Sequence, residues 1–256
     1  MIDSHAHLQH ERFDADRDAV IERAAAAGIE RILVPGWDLP SSEAALALAQ
    51  RHAPLIDAAV GVHPHHAAEM DEAGWVRLAA LAVDPWNRAI GEIGIDLFRN
   101  LSPPDVQRDA FARQLELAAT HGLSVLVHDR DAHVEVTSAL LGWSGRSGHA
   151  VRGVLHAFSG DAAMARSLTG AGFVISFALP LAFKSAVGPR VAAPLLGDGQ
   201  FVVETDAPYL GPDRAARNEP TTALRVTAEL ARLRETAPAS LIGPLRSAYD
   251  QLVSAR

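Results

Sequence analysis

The sequence contains no cysteine among its 256 residues, which excludes a disulfide framework, a cysteine-based zinc finger and thiol catalysis. Any metal ion must therefore be bound by histidine, aspartate or glutamate, and the chain has 12 histidines. Positive charge is also scarce, because 23 Lys and Arg residues stand against 31 Asp and Glu residues, giving a formal net charge of −8. This balance argues against a broad basic surface for indiscriminate nucleic-acid binding, although it allows a local phosphate site.

The sequence also lacks an uninterrupted apolar run of the roughly 18 to 20 residues that a membrane span needs. Its start, from Met1 to His5, has an acid and a histidine where a signal peptide has a basic region and an apolar run. We therefore expect a cytoplasmic protein that does not bind membranes. The oligomeric state is left open, with a monomer as one alternative.

The length and composition favour one large domain over residues 1–256. With 48% hydrophobic and 21% charged residues, the chain can bury a sizeable core, and its length is typical of a (β/α)8 barrel. Short runs rich in valine and isoleucine alternate with stretches of helical periodicity, which is typical of a parallel α/β sheet. Eight strands are predicted, over residues 1–4, 31–35, 55–62, 89–93, 124–127, 153–155, 173–177 and 201–204.

Helices are predicted between these strands, and the second of them is expected to be capped by Ser41 or Ser42. The pattern predicts a single, distorted α/β barrel of the TIM type with an extra C-terminal helix. The predicted helices cover residues 14–27, 43–51, 72–83, 105–121, 134–141, 162–169, 184–196, 222–234 and 238–256.

Polar residues that follow the strands are the candidate site residues, because the active site of a (β/α)8 barrel lies at the carboxyl ends of its strands. Histidines and acids are concentrated at these positions, so we expect them to meet at one rim. In chain order they are His5, His7, His63, His65, His66, Glu92, Asp96, His128, Asp129, His156, Glu204 and Asp206, with Arg130 among them.

A metal site accounts for these residues better than a structural role does. His5 and His7 project to the same side of the chain, since side chains alternate along a strand. His128 and His156 each end an aliphatic run, where a structural histidine would bury a polar ring among apolar side chains. Asp206 follows an apolar strand, where an isolated carboxylate is costly unless it meets a cation. This mix of imidazole and carboxylate suits a divalent metal.

The number of candidate ligands predicts two divalent ions, Mg, Mn or Zn, since a catalytic zinc usually has only three protein ligands. A carboxylate can bridge two cations, and Glu92 is the predicted bridge. Two ions about 3.5 to 4 Å apart suit an in-line displacement at phosphorus. The six predicted ligands are His5, His7, Glu92, His128, His156 and Asp206.

Six motifs occur in order along the chain: IDSHAHL, GVHPHHA, GEIGIDLF, VLVHDRDAH, GVLHAFSGD and ETDAPYLGP, followed by RNEP. Together they span residues 2–220, and in this order they resemble the TatD family of metal-dependent deoxyribonucleases, within the amidohydrolase-like barrel superfamily. The resemblance implies hydrolysis of DNA phosphodiester bonds at a binuclear site. It implies one ion among His5, His7, Glu92 and Asp206, and another among Glu92, His128 and His156.

Three residues have predicted roles in catalysis. Asp206 is predicted to take a proton from the attacking water, and Glu92 to act as the bridging carboxylate. His63 is predicted to donate to a phosphate oxygen or to the leaving group, and its alternative role is a hydrogen bond that anchors its loop.

Three further residues are candidate contacts to the substrate. Arg130 is predicted to bind a phosphate through its planar guanidinium, with an ion pair to Asp129 or Asp131 as the alternative. His65 is a candidate rim contact. Lys184 is a candidate contact to the substrate backbone, although a lone exposed lysine is usually only solvated.

The resemblance therefore implies a deoxyribonuclease, and we expect an exonuclease in DNA repair or degradation that acts on single-stranded or frayed DNA ends. A second hypothesis is that the same metal site hydrolyses a small amide, ester, aminoacyl ester or lactone. The acidic net charge favours this hypothesis slightly. A third is a catalytically silent binding barrel. That alternative predicts a closed coordination shell, whereas this sequence supplies an open rim and a candidate base.

Overall fold

Eight parallel strands form one sheet in which each strand is hydrogen-bonded to the next in chain order. The computed structural model describes residues 1–144, 152–213 and 216–254. The predicted barrel and its eight strands are confirmed, with small shifts at the strand ends. The strands are β1 (Ile2–Asp3), β2 (Arg31–Pro35), β3 (Ile56–Val60), β4 (Asn87–Asp96), β5 (Ser124–Arg130), β6 (Gly153–Leu155), β7 (Phe173–Phe177) and β8 (Phe201–Val203).

Backbone hydrogen bonds between the two ends of the sheet close the barrel. The Ser4 N–H donates to the Val203 carbonyl at 3.0 Å, and the Asp206 N–H donates to the His5 carbonyl at 2.8 Å. Closure therefore places the loop after β8 beside the residues that follow β1. The barrel is distorted, as predicted, because the register shifts between β3 and β4 and again between β4 and β5.

Helices pack around the barrel within the described residues, where none is long and apolar enough to cross a membrane. The segment predicted as a helix over residues 184–196 is α-helical only over Val187–Ala192. A 3-10 turn follows at Ala193–Leu195, since Pro194 lacks the backbone N–H that would continue the helix. The helices are α1 (Arg17–Ala26), α2 (Leu39–His52), α3 (Glu72–Ala82), α4 (Pro104–His121), α5 (His133–Trp143), α6 (Ala162–Gly170), α7 (Val187–Ala192), α8 (Ala223–Leu233) and α9 (Pro238–Val253).

The start of α2 differs from the prediction. Asp38 is the N-cap, because its carboxylate accepts the Ser41 N–H at 2.8 Å while Ser41 Oγ accepts the Asp38 N–H at 2.9 Å. This reciprocal capping box starts the helix at Leu39. The prediction that Ser41 or Ser42 caps the helix was therefore wrong.

The two ends of the barrel have different roles. At the amino end, Tyr249 on α9 is buried and donates to Asp57 Oδ2 at 2.7 Å, so the C-terminal helix covers that end. Near the opposite end, Gly94 has φ +145°, and a Cβ there would collide with the His128 carbonyl group. A glycine at this position lets β4 and β5 approach closely where they carry Glu92 and His128.

Candidate metal centre

Glu92 lies on β4 at the centre of the carboxyl end of the barrel, and its side chain is buried. Its Oε2 lies 3.5 Å from His5 Nε2 and 3.4 Å from His7 Nε2. Its other oxygen, Oε1, lies 3.0 Å from both His128 Nδ1 and His156 Nε2. The two oxygens of one carboxylate therefore face two separate groups of imidazole nitrogens.

The first cluster consists of His5, His7, Asp206 and the Oε2 side of Glu92. Asp206 Oδ1 lies 3.7 Å from His5 Nε2 and 3.5 Å from His7 Nε2, and the two imidazole nitrogens are 3.1 Å apart. His5, His7 and Asp206 each offer one ligand atom, and these three atoms lie within 4.8 Å of one another, which is close enough for them to share one cation.

The second cluster consists of His63, His128, His156 and the Oε1 side of Glu92. His128 Nδ1 and His156 Nε2 are 3.1 Å apart, and His63 Nε2 lies 3.4 Å from Glu92 Oε1. Ligand atoms about 2.0 to 2.2 Å from one ion are about 3.0 to 3.5 Å from one another. The spacing in both clusters therefore fits a divalent metal.

Hydrogen-bond partners on the far side of each imidazole ring determine which ring nitrogen faces the cluster. His7 Nδ1 donates to the Pro35 carbonyl at 3.3 Å, and His156 Nδ1 lies 3.2 Å from Glu204 Oε1. A proton held on Nδ1 leaves the lone pair of Nε2 directed at the site, as a metal ligand requires. On the other side, His128 Nε2 lies 3.4 Å from Asp96 Oδ2, so its Nδ1 is the nitrogen that faces Glu92.

His63 differs from His7 and His156, because its Nδ1 accepts a hydrogen bond and does not donate one. Its Nδ1 accepts the His65 N–H at 3.1 Å, which is the loop-anchoring bond that was the alternative prediction. A neutral ring then carries its proton on Nε2, the nitrogen that faces Glu92. Burial lowers the pKa of His63 to about 3, so this side chain is neutral at physiological pH and presents an N–H donor to the site.

The carboxylates of the site have opposite pKa shifts. Burial raises the pKa of Glu92, but the charge of His156 and the hydrogen bond from His128 outweigh burial and hold that pKa well below its usual value. Glu92 is therefore an anion, as a bridging ligand must be. At Asp206, burial is the larger effect and raises the pKa of the carboxyl group.

The whole chain matches a known family. Residues 2–252 match the family described as TatD related DNase. The chain belongs to the TatD family.

Relatives and solved structures agree with this assignment. The Bacillus subtilis protein named uncharacterized metal-dependent hydrolase YabD is 36% identical over 237 residues, which cover 92% of this chain and 91% of that protein. The 3'-5' ssDNA/RNA exonuclease TatD of Enterobacter lignolyticus is 38% identical over 241 residues, covering 91% of each protein. The crystal structure of YjjV, a TatD homologue from Escherichia coli, has a TM-score of 0.91 at 29% identity, covering 100% of this chain and 98% of that one.

A cavity of about 440 Å³ opens above the two clusters of this TatD-family chain. Of the predicted substrate contacts, His65 and Arg130 line it, whereas Lys184 is exposed and does not lie among the lining residues. His65 Nε2 lies 2.8 Å from Asp96 Oδ2. His66 also lines the cavity.

Arg130 stacks on an aromatic ring instead of pairing with an acid. Its guanidinium carbon lies 4.0 Å from the centroid of the Phe98 ring, and in the described part of the chain it forms no ion pair. Asp129, one of the two acids considered as its partner, contacts His133 Nδ1 at 2.9 Å instead. The guanidinium is therefore available to an anion in the cavity.

Four polar or aromatic lining residues were missed by the sequence analysis. Trp37 follows β2, so the strand-end rule would have found it had that strand been included. Tyr209 lies within the ETDAPYLGP motif. The missed residues are His10, Trp37, Arg99 and Tyr209.

The loop that carries Asp206 is held by Asn218, which lies in the RNEP segment. The buried Asn218 amide donates to the Thr205 and Tyr209 carbonyls, each at 2.8 Å. These bonds hold both sides of Asp206 in place.

Proposed function

We propose that the protein is a metal-dependent nuclease that hydrolyses phosphodiester bonds at single-stranded or frayed DNA ends. The observation that carries this proposal is the shared carboxylate, since Glu92 directs one oxygen to each of two imidazole clusters. Two ions that share a bridging carboxylate suit in-line displacement at phosphorus. Family membership and the name of the Enterobacter relative support the same activity.

The proposed ligands divide between the two clusters. His5, His7, Asp206 and Glu92 would hold one divalent ion, and Glu92, His128 and His156 would hold the other. Bound divalent ions supply Lewis acidity at a phosphoryl oxygen and a lower pKa for water. Four imidazoles among six ligands favour Zn or Mn over Mg, because Mg prefers oxygen ligands.

Three side chains of the chain would then act on the substrate directly. Asp206 accepts a proton from the attacking water, and its raised pKa suits this role because a base works best with a pKa near the operating pH. His63 donates its Nε2–H to a phosphate oxygen, since the neutral ring is a donor but only a weak acid. Arg130 binds a phosphate through its guanidinium.

The size of the cavity supports single-stranded ends as the substrate. A volume of about 440 Å³ belongs to the class of about 300 to 1,000 Å³ that takes one small ligand. The cavity therefore accepts a strand end, and a duplex would have to fray before its phosphate reached the two clusters. This geometry favours an exonuclease.

The test uses purified, metal-stripped protein reloaded with Mg, Mn or Zn. We expect hydrolysis of single-stranded DNA, slower hydrolysis of duplex DNA, and none with Glu92→Gln. Glu22→Gln, which changes an exposed glutamate on α1 that does not line the cavity, is the matched control and should retain activity. Hydrolysis of a small amide, ester or lactone with no hydrolysis of DNA would overturn the proposal in favour of the small-molecule alternative.

A further inference from the structure

The side of the cavity next to the first cluster is aromatic. The ring centroid of Trp37 lies 5.3 Å from that of His7 and 5.8 Å from that of His10, and Tyr209 lies 5.7 Å from His10. We call Trp37, His10 and Tyr209 the aromatic wall. Their mutual contacts are tilted or T-shaped, so no parallel stack covers a ring face within the wall.

The opposite side of the cavity, next to the second cluster, is cationic. Arg99 and Arg130 both line it, and the guanidinium of Arg130 is supported by the ring of Phe98. We call Arg99 and Arg130 the cationic wall. The proposed reaction centre lies between an aromatic surface and a positively charged one, although the chain as a whole has a net charge of −8.

We propose that the aromatic wall binds the nucleobase of the 3′-terminal nucleotide by stacking on Trp37 and Tyr209, while the cationic wall holds the phosphates upstream of the scissile bond. This inference rests on the proposed function and adds a subsite to it. Stacking is tolerant of sequence, because every base has a π-face. The wall would therefore position any terminal nucleotide.

The backbone around both aromatic residues is fixed, which suits a positioning role. The Tyr209 N–H donates to the Asp206 carbonyl at 2.7 Å, so the ring is tied to the proposed base. The Trp37 N–H donates to Ser41 Oγ at 2.8 Å, and the Trp37 carbonyl accepts the His63 N–H at 2.9 Å. A base stacked on these rings would hold its phosphate in a defined place beside both clusters.

The exposure of these rings also favours a ligand. Tyr209 is 46% exposed although it lies at the mouth of a cavity, and Trp37 is half-buried. Aromatic side chains that stack on bases, together with basic side chains that hold the backbone phosphates, are the usual components of a single-strand binding groove. A phosphate site alone would need only the arginines.

The test compares two single-stranded oligonucleotides of equal length, one with an ordinary 3′-terminal nucleotide and one whose terminal residue is abasic. For the wild type, the abasic end should lower kcat/KM by about 5- to 150-fold, the range for stacking of one base. Trp37→Ala should lower kcat/KM for the ordinary oligonucleotide by a similar factor, mainly by raising KM. For the abasic oligonucleotide, kcat/KM of Trp37→Ala should be close to that of the wild type. Trp37→Phe should recover most of the loss.

Two controls separate stacking from a structural effect. Trp75→Ala removes a half-buried tryptophan of α3 that contacts Arg113 outside the cavity, and it should leave both substrates unchanged. Metal content should remain at the wild-type value in Trp37→Ala and Tyr209→Ala. An equal loss for Trp37→Ala on both substrates, or equal cleavage of both ends by the wild type, would overturn the stacking subsite. Failure of the wild type to cleave either oligonucleotide with any of the three metals would instead overturn the proposed nuclease function.

Discussion

Replacing Glu92 is the most direct test of the proposed binuclear centre, because this residue faces both clusters at once. Its Oε1 lies 3.0 to 3.4 Å from three imidazole nitrogens, and its Oε2 lies 3.4 to 3.5 Å from two more. Glu92→Ala removes both oxygens. We expect this variant to lose more than one of two metal equivalents and all measurable activity.

Two further variants make the expected loss quantitative. Glu92→Gln keeps one oxygen that can bind a metal but replaces the other with an amide nitrogen that cannot, so it should lose about one equivalent. His128→Ala removes a ligand of the second cluster only and should also lose about one equivalent. The order of retained metal should therefore be wild type, then Glu92→Gln together with His128→Ala, then Glu92→Ala.

The assay is metal analysis after reconstitution and desalting, with melting temperature recorded for each variant. Glu69→Ala serves as the control, because this exposed glutamate lies outside both clusters and should leave two equivalents bound. If Glu92→Ala retained a full equivalent of metal, the assignment of Glu92 as the bridging ligand would be refuted. It would mean that the cluster of His5, His7 and Asp206 binds its ion without the carboxylate of β4.

Three further predictions follow from individual contacts. Asp206→Asn should lower turnover by about 10² to 10⁴-fold with near-normal metal content, and most activity remaining would make Asp206 a ligand only. Arg130→Ala should make the salt dependence of KM for single-stranded DNA shallower by about 0.7 to 1 in log–log slope, and an unchanged slope would remove it from the phosphate site. The hydrogen bond that His133 Nδ1 donates to the Asp129 carboxylate raises the pKa of His133. This pair therefore stabilises the fold below the unfolded pKa of 6.5, and the contribution is lost as the pH rises through the raised value. In urea unfolding, His133→Asn should therefore lower the free energy of unfolding by up to about 1 kcal/mol near pH 6 and by nothing at pH 9, and a pH-independent difference would contradict this reasoning.

The position of the candidate site could be predicted from the sequence because it follows from topology. Parallel strands bring their carboxyl ends to one rim, so a histidine after β1 and another after β5 meet without any knowledge of side-chain packing. The same rule explains a failure. Lys184 follows β7, yet its side chain is exposed and lies away from the cavity, because the rule places a residue at the rim but does not direct its side chain inward.

Contacts between neighbouring strands could not be predicted, because they depend on register. Asp96 of β4 pairs with Arg130 of β5, which places Phe98, two residues farther along, against the guanidinium. An alternation of polar and apolar residues does not reveal this offset. The sequence therefore suggested Asp129 as an alternative partner of Arg130, whereas the register provides an aromatic ring.

The chemical role of each histidine depends on a hydrogen bond that the sequence does not encode locally. His63 and His156 both follow an aliphatic strand, and both direct Nε2 at Glu92 Oε1. A backbone N–H donates to Nδ1 of His63, whereas the carboxylate of Glu204 lies against Nδ1 of His156. The first arrangement puts the proton on the nitrogen that faces the site, and the second keeps that nitrogen free to bind a cation. The loop after β3 and a glutamate at the end of β8 therefore decide which imidazole presents an N–H donor and which one presents a lone pair for a cation. A count of histidines at the rim overestimates the number of metal ligands, because it includes each histidine whose Nδ1 already accepts a backbone N–H.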